Sequence, residues 1–208
     1  MTTTVRSLRW TLLTLAAAAA LAACGSVRYP AHYVLDVAPA RPAPAASPSA
    51  LGPLVVRELA CPPYLCEGRV VYREEPHRVG FYDYHRWALN PRTALTRVLA
   101  DRIRGSSLFE SVTVAGSPAR AAYLLRGEIE RLEEVDEKTS VHAICTISVE
   151  IIDVSSGTAT WRSTASETVQ VPQRDVAAVV VALGVASRTV ADRLVASMAT
   201  ELPARRSH

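Results

Sequence analysis

"VHAICTISVEIIDVSSGTATWRSTASETVQV", residues 141–171, decides the fold class of this chain. Apolar side chains in its first half share one parity, which indicates a strand with one buried face; the set is Val141, Ala143, Cys145, Ile147, Val149 and Ile151. "DVSSGT" then predicts a turn, and residues 158–171 a second strand with Trp161 in the core and Pro172 at its end. The stretch therefore predicts an antiparallel hairpin in which Cys145 is a small buried hydrophobe and not a nucleophile.

The neighbouring segments extend this hairpin into a three-stranded meander. Residues 123–132 alternate weakly, with Leu125, Gly127 and Ile129 on one side and charged residues on the other. "EEVDEKTS", residues 133–140, is predicted to be a solvated turn. Further strands are predicted at residues 32–37, 54–59, 69–73, 78–87 and 111–114.

Two helices complete the predicted fold. Asn90 can cap a helix that has Pro91 in its first turn and Gly105 at its end. Its apolar residues lie on one face: Leu95, Val98, Leu99 and Ile103. Residues 175–200 predict the second helix. The order of elements lacks strict βαβ alternation, so we expect an α+β fold, a mostly antiparallel sheet covered by two main helices.

The first residues have the pattern of a lipoprotein signal peptide, residues 1–23. A basic start with Arg6 and Arg9 precedes an uncharged apolar run, which is too short to span a membrane and typical of a secretory signal. The run ends in "LAAC", which resembles the bacterial lipobox. We expect cleavage before Cys24 and acylation of that cysteine with diacylglycerol and palmitate; the alternative is a plain thiol after an ordinary signal peptide.

The residue after Cys24 indicates which membrane would hold the anchor. Gly25 stands where lipoproteins kept in the inner membrane of many Gram-negative bacteria carry aspartate, so we expect an outer-membrane anchor facing the periplasm. Residues 24–31 form a tether with a reach of at most roughly 25 to 30 Å, which would hold the folded body close to the membrane.

Charge and length limit the remaining choices. The formal net charge is +3 over 208 residues, but residues 1–23 hold two of the 23 basic residues and no acidic one. The remainder carries 21 basic against 20 acidic residues, a balance that does not favour nucleic acid, which needs a clustered basic face. We expect one domain at residues 32–202, with a proline-rich loop at 38–53 and a tail at 203–208.

The cysteines fit an oxidising compartment. "CPPYLC" places Cys61 and Cys66 around a Pro-Pro turn, and a local disulfide is the preferred interpretation. The alternative is a zinc site that would add His77 and His85 to the two cysteines. These histidines lack a characteristic metal-ligand spacing, so we expect neither a metal nor another cofactor.

The run "GFYDYHRWALNP", residues 80–91, holds four of the twelve aromatic residues within seven positions. On a regular strand Phe81, Asp83, His85 and Trp87 would face one way, and Tyr82, Tyr84 and Arg86 the other. Neither face is cleanly apolar or polar, so both are expected to be covered. Tyr, Trp and Arg dominate contact energies at protein interfaces, which favours partner binding by Tyr82, Tyr84, His85, Arg86 and Trp87.

An enzyme is the first alternative for this run. Asp83 and His85 could act as an orienting acid and a base, with a serine from elsewhere. No nucleophile elbow, zinc-protease motif or phosphate-binding glycine loop accompanies them in the sequence. We therefore expect no enzymatic activity. Another kind of envelope-assembly lipoprotein is the second alternative.

Residues 68–112 carry a resemblance to a known family. "VYR", "YDYHRWA", the following Pro91 and "LFESV", downstream of the lipobox and of "YVLDV", are similar to the ABC-type transport auxiliary lipoproteins, which include the PqiC-type proteins. The paired cysteines around "PYL" depart from the family pattern. The resemblance implies a non-enzymatic component of an MCE-type lipid transport system. Its implied partners are an MCE-domain protein, ABC transporter components and, in rings, further copies of the chain.

Overall fold

The computed structural model describes residues 28–35, 51–114 and 121–205, with side chains up to residue 202. The elements are β1 (Ala31–Tyr33), β2 (Leu54–Val56), α1 (Pro63–Cys66), β3 (Arg69–Glu75), β4 (Arg78–Trp87), α2 (Pro91–Ser106), β5 (Val112–Val114), β6 (Tyr123–Asp136), β7 (Val141–Asp153), β8 (Ala159–Gln170) and α3 (Val176–Arg205). The mixed content and the mostly antiparallel sheet agree with the predicted α+β class. The one-turn helix α1 was not predicted.

The meander predicted from residues 123–171 is confirmed as β6, β7 and β8, which pair antiparallel in that order. The shared parity in β7 is buried as expected, and Cys145 is fully buried. Trp161, which is 1 % exposed, pairs with Ile151, and its indole N–H donates to Ser197 Oγ of α3 at 3.3 Å. The long helix α3 packs on β7 and β8 and encloses this part of the core.

Strand β6 branches the sheet. Its first residues pair in parallel with β2, which pairs in turn with β5. Its last residues pair in parallel with β3, which leads to β4 and β1. One long strand thus carries two separate wings on the edge opposite β7, and the four parallel pairings lie within or at these wings.

Gly127 lies where β6 and β7 approach closely. A Cβ at this position would come within 2.3 Å of the Ser148 carbonyl oxygen and 2.6 Å of a Val149 methyl. Only glycine fits such a contact without moving the backbone. The register of β6 then shifts between Ile129 and Arg131, as a β-bulge does.

The predicted turn at residues 133–140 is wrong in its first half. β6 continues to Asp136, and within it Glu133 is fully buried and Glu134 is 5 % exposed. Local polarity indicated solvent, but two arginines and a tyrosine from outside the segment satisfy these carboxylates. Buried acids of this kind persist only when paired, and two of the partners, Arg73 and Tyr82, lie 60 and 52 positions away along the chain.

Helix α2 follows its sequence signals closely. Asn90 accepts a hydrogen bond from the Arg92 N–H at 2.9 Å, and Pro91 opens the first turn. The helix passes Gly105 and ends at Ser106, because Ser107 takes the left-handed conformation at φ 55°. Leu95, Leu99 and Ile103 are buried as predicted, and α2 contacts α3 and β5.

Candidate functional site

Strand β4 is irregular within the aromatic run. Phe81 pairs with Val71, whereas Arg86 pairs with Arg69, so β4 uses more residues than β3 over the same length. Extra residues in one strand interrupt the alternation of faces. The prediction that Tyr82 and His85 point to opposite faces is therefore wrong. Their rings meet edge to face with centroids 5.6 Å apart.

Three strands bring four rings together, and we call Tyr33, Tyr72, Tyr82 and His85 the aromatic cluster. Tyr33 of β1 stacks on His85 at 5.7 Å, and its hydroxyl lies 2.9 Å from His85 Nδ1. Tyr72 of β3 lies 4.9 Å from Tyr82. Such ring pairs add to the free energy of burial, so the cluster joins β1, β3 and β4 through side chains as well as backbone.

A buried carboxylate lies beneath the cluster. The Tyr82 hydroxyl donates to Glu134 Oε2 at 2.8 Å. Burial raises the pKa of Glu134 although this hydrogen bond opposes the shift, and burial together with Glu134 raises the pKa of Tyr82. Tyr82 therefore stays a neutral donor at all ordinary pH values and is fixed in place by β6.

The outer side of β4 is accessible. Tyr84 is 48 % exposed, and Asp83 and Arg86 are exposed. The Arg69 guanidinium lies 4.2 Å above the Phe81 ring and 3.9 Å from the Asp83 carboxylate. A concavity of about 410 Å³ runs between this strand and the end of β6.

The five residues predicted to bind a partner do not share one environment. Tyr82 and His85 are half-buried in the aromatic cluster, and Trp87 is only 7 % exposed, with its backbone N–H donating to the Gly68 carbonyl. Tyr84 and Arg86 remain at the surface. The structure thus separates a supporting layer from two residues that can contact a partner.

The alternative pairing of Asp83 with His85 gains no support from the contacts. The partner of His85 is the Tyr33 hydroxyl, and the partner of Asp83 is Arg69. The zinc alternative meets a different obstacle, because Cys61 and Cys66 are joined in a disulfide and neither offers a thiolate. Among the described residues no group of three or more potential metal ligands is present.

Sequence reasoning missed Glu133, which fastens β3 to β6. Arg73 of β3 donates to both carboxylate oxygens at 3.0 and 2.9 Å, and Arg131 of β6 donates to Oε1 at 2.7 Å. The signal available in the sequence was Leu132 and Val135 continuing the strand around the two acids. Glu133 thereby holds in place the wing that carries the aromatic cluster.

Comparison with known proteins identifies the family. The sequence model of the ABC-type transport auxiliary lipoprotein component matches residues 33–195. The chain belongs to this ABC-type transport auxiliary lipoprotein family. The match begins at Tyr33 and contains all four residues of the aromatic cluster. No curated protein matches the chain in sequence.

Solved structures share the fold of this auxiliary lipoprotein. A Xanthomonas campestris protein, XCC0632, aligns over 86 % of this chain and 100 % of its own, with a TM-score of 0.72 and 18 % identity. An uncharacterized protein covers 82 % of this chain and 99 % of its own (TM-score 0.64, 13 % identity). The hypothetical protein CT253 from Chlamydia trachomatis covers 74 % and 99 % (TM-score 0.52, 9 % identity). At these identities the likeness shows the fold alone.

Several predictions on the auxiliary lipoprotein lie outside the described residues. They are the signal peptide at 1–23, the acylated Cys24 and most of the proline-rich loop at 38–53. In the part of the chain that the structure describes, no helix is both long enough and apolar enough to cross a membrane. Attachment through Cys24 stays a prediction.

The thiols of the auxiliary lipoprotein can be counted directly. Cys61 and Cys66, with Cα atoms 6.2 Å apart, form the disulfide, and Cys145 is the free, buried thiol of the described residues, with a pKa that burial raises to about 12. We expect alkylation without reductant to label no described cysteine in the native protein and only Cys145 after denaturation. Intact mass measures the labels. Three alkylated thiols after non-reducing denaturation would contradict the pairing, whose stabilising effect should not exceed about 3 kcal/mol.

Proposed function

We propose that this lipoprotein is anchored in the outer membrane, faces the periplasm and docks components of an MCE-type ABC lipid transport system without performing chemistry. Two observations support the proposal. Membership of the auxiliary lipoprotein family links the chain to ABC transport. The family signature in β4 also presents an exposed tyrosine and arginine on a fixed support.

The single observation that carries the docking role is this exposed pair above a buried layer. Tyr84 and Arg86 stand outside, while Tyr82 is held by Glu134 and His85 by Tyr33. A support fixed before binding reduces the ordering cost that a complex must meet. Tyrosine and arginine are also enriched among the residues that dominate binding energy.

Replacing both exposed residues tests the proposal. We expect Tyr84→Ala with Arg86→Ala to leave secretion and acylation intact but to weaken MCE binding or self-association by about 2 kcal/mol or more, because interface anchors have effects of this size. Pull-down with an MCE-domain protein from the same organism and sedimentation velocity provide the measurements.

His85→Ala is the contrasting variant. A supporting residue should alter binding only modestly through Tyr33 and Tyr82, whereas a catalytic base would abolish function with assembly unchanged. If the double variant binds and sediments like the wild type while His85→Ala alone abolishes envelope function, the docking proposal is wrong and the enzyme alternative replaces it.

A further inference from the structure

A second concavity lies along the first half of β6, away from the aromatic cluster at its other end. Its volume is about 700 Å³. One wall is the segment after β2, where the Arg57 N–H donates to the Leu125 carbonyl at 2.9 Å and the Ala60 N–H donates to the Gly127 carbonyl at 2.7 Å. The polar faces of β6, β7 and β8 form the floor, and Arg92 from the first turn of α2 completes the lining. We call this concavity the arginine groove.

Four arginines and three glutamates line the arginine groove. On the floor, Arg126 and Arg162 both bind the carboxylate of Glu150 from the two neighbouring strands. Their hydrogen bonds lower the pKa of Glu150, so this carboxylate stays ionised and the group of three keeps one positive charge.

In the part of the chain that the structure describes, the arginines of the walls have no carboxylate partner. Within the described residues neither Arg57 nor Arg92 forms an ion pair. The nearby Glu58 carboxylate accepts a hydrogen bond from the Thr93 hydroxyl at 2.7 Å. Glu128 on the floor is exposed. Among the described residues neither Glu128 nor Glu58 has a cationic partner, so these two lining acids would oppose an anion.

The side chain of Arg92 is incompletely satisfied within the described residues. Its Nε is buried and has no acceptor among the described residues. A buried donor without a partner is unfavourable and rare in folded proteins. The Arg92 guanidinium also lines the groove, so an anion placed there would meet its charge together with the unpaired charge of Arg57.

We propose that the arginine groove binds a phosphate-bearing anion. Guanidinium groups match phosphate oxygens in charge and in planar, paired geometry. A groove of this volume lies within the usual range for small-molecule sites and exceeds the needs of a bare ion, while Leu59 and Val149 add apolar lining. The shared chemistry is a phosphate group, from a phospholipid headgroup or from free phosphate. The site does not depend on the docking role of β4.

Calorimetric titration of the purified full chain at constant ionic strength tests the site. The two probes are inorganic phosphate and dihexanoyl phosphatidylglycerol below its micelle concentration. We expect saturable binding that Arg57→Gln with Arg92→Gln weakens about tenfold or more, because two charged hydrogen-bond donors are lost. The α2 cap uses the Arg92 backbone and is retained in this variant.

Two further variants make the result decisive. Glu128→Gln removes one of the two unpaired negative charges of the groove, and we expect it to tighten binding roughly two- to fivefold; misfolding cannot produce such a gain. Arg97→Gln removes one exposed charge of α2 outside the groove and should leave affinity unchanged.

The two probes separate the sources of the phosphate. Tighter binding of the lipid identifies a headgroup site, and equal or tighter binding of inorganic phosphate identifies a site for the free ion; both results support the groove. The inference is overturned if neither probe binds saturably. It is also overturned if the Arg57 and Arg92 double variant binds like Arg97→Gln.

Discussion

Replacing Glu133 by alanine is expected to lower the free energy of unfolding by about 3–5 kcal/mol, because removing one partner of a buried ion pair leaves uncompensated charge. Glu133 is fully buried between Arg73 and Arg131, and the Arg73 side chain is only 19 % exposed. Urea unfolding followed by circular dichroism measures the change.

The position of this pair in the sheet explains why the effect should reach Tyr84 and Arg86, the residues proposed to dock a partner. β3 and β6 share only two registered backbone pairs, Tyr72 with Glu134 and Arg73 with Val135. The bidentate contact of Arg73 with Glu133 supplements this short ladder. We therefore expect Glu133→Ala to loosen the wing formed by β3, β4 and β1 and to weaken partner binding as well.

The adjacent acid provides the control. Glu134→Gln keeps an oxygen that accepts from Tyr82 but removes a charge whose burial is unfavourable, so its stability should stay within about 1 kcal/mol of the wild type or rise. If Glu133→Ala and Glu134→Gln lower the free energy of unfolding equally, the idea that Glu133 stabilises the fold through its ion pairs while the charge of Glu134 does not is contradicted.

The same control gives a pH test. The pKa of Glu134 is raised in the folded state, so the folded protein holds this proton more tightly than the unfolded chain. Its contribution to stability is full below the unfolded pKa and is lost as pH rises through the folded pKa. Glu134→Gln should abolish the loss of folding stability that this proton causes as pH rises. The rest of the dependence of stability on pH should be unchanged.

The predictable part of the fold is the part specified by neighbours in sequence. Alternation placed β7 and its buried Cys145 correctly, and cap residues placed the start of α2 at Pro91. The branching of β6 into two wings was not predictable in this way. Its parallel pairings join β2 and β3 to residues more than fifty positions later, and no local period encodes that choice.

The candidate site shows the same division. Residue types alone identified the aromatic run, whereas the structure separated the exposed Tyr84 and Arg86 from the supporting residues. The contact of Tyr33 with His85 spans 52 positions, and the register shift that places His85 beside Tyr82 depends on pairing with β3. Assigning faces by odd and even positions therefore failed where strand pairing, and not strand period, sets the direction of each side chain.

Replacing Cys24 by alanine is expected to have the largest effect of any single change, a complete loss of membrane attachment. The "LAAC" site after an uncharged run leads us to expect the acyl chains on this cysteine. Each buried CH₂ contributes about 0.8 kcal/mol, and several chains are needed for stable anchoring. Without them the protein should be released into the periplasm or remain unprocessed, which fractionation and intact mass distinguish.

Cys145→Ala is the matched control, because it removes another cysteine that is buried in β7 and remote from the signal region in sequence. This variant should fractionate with the membrane like the wild type. Maturation and membrane retention of Cys24→Ala at wild-type levels would refute lipid attachment at this position. A soluble Cys24→Ala protein that still binds an MCE partner in vitro would show that the anchor sets location and is not needed for recognition. With the anchor in place, the tether of residues 24–31 reaches at most roughly 25 to 30 Å and holds the folded body close to the membrane. The unanchored variant loses this placement, so we expect it to fail in the cell even though Tyr84 and Arg86 are intact.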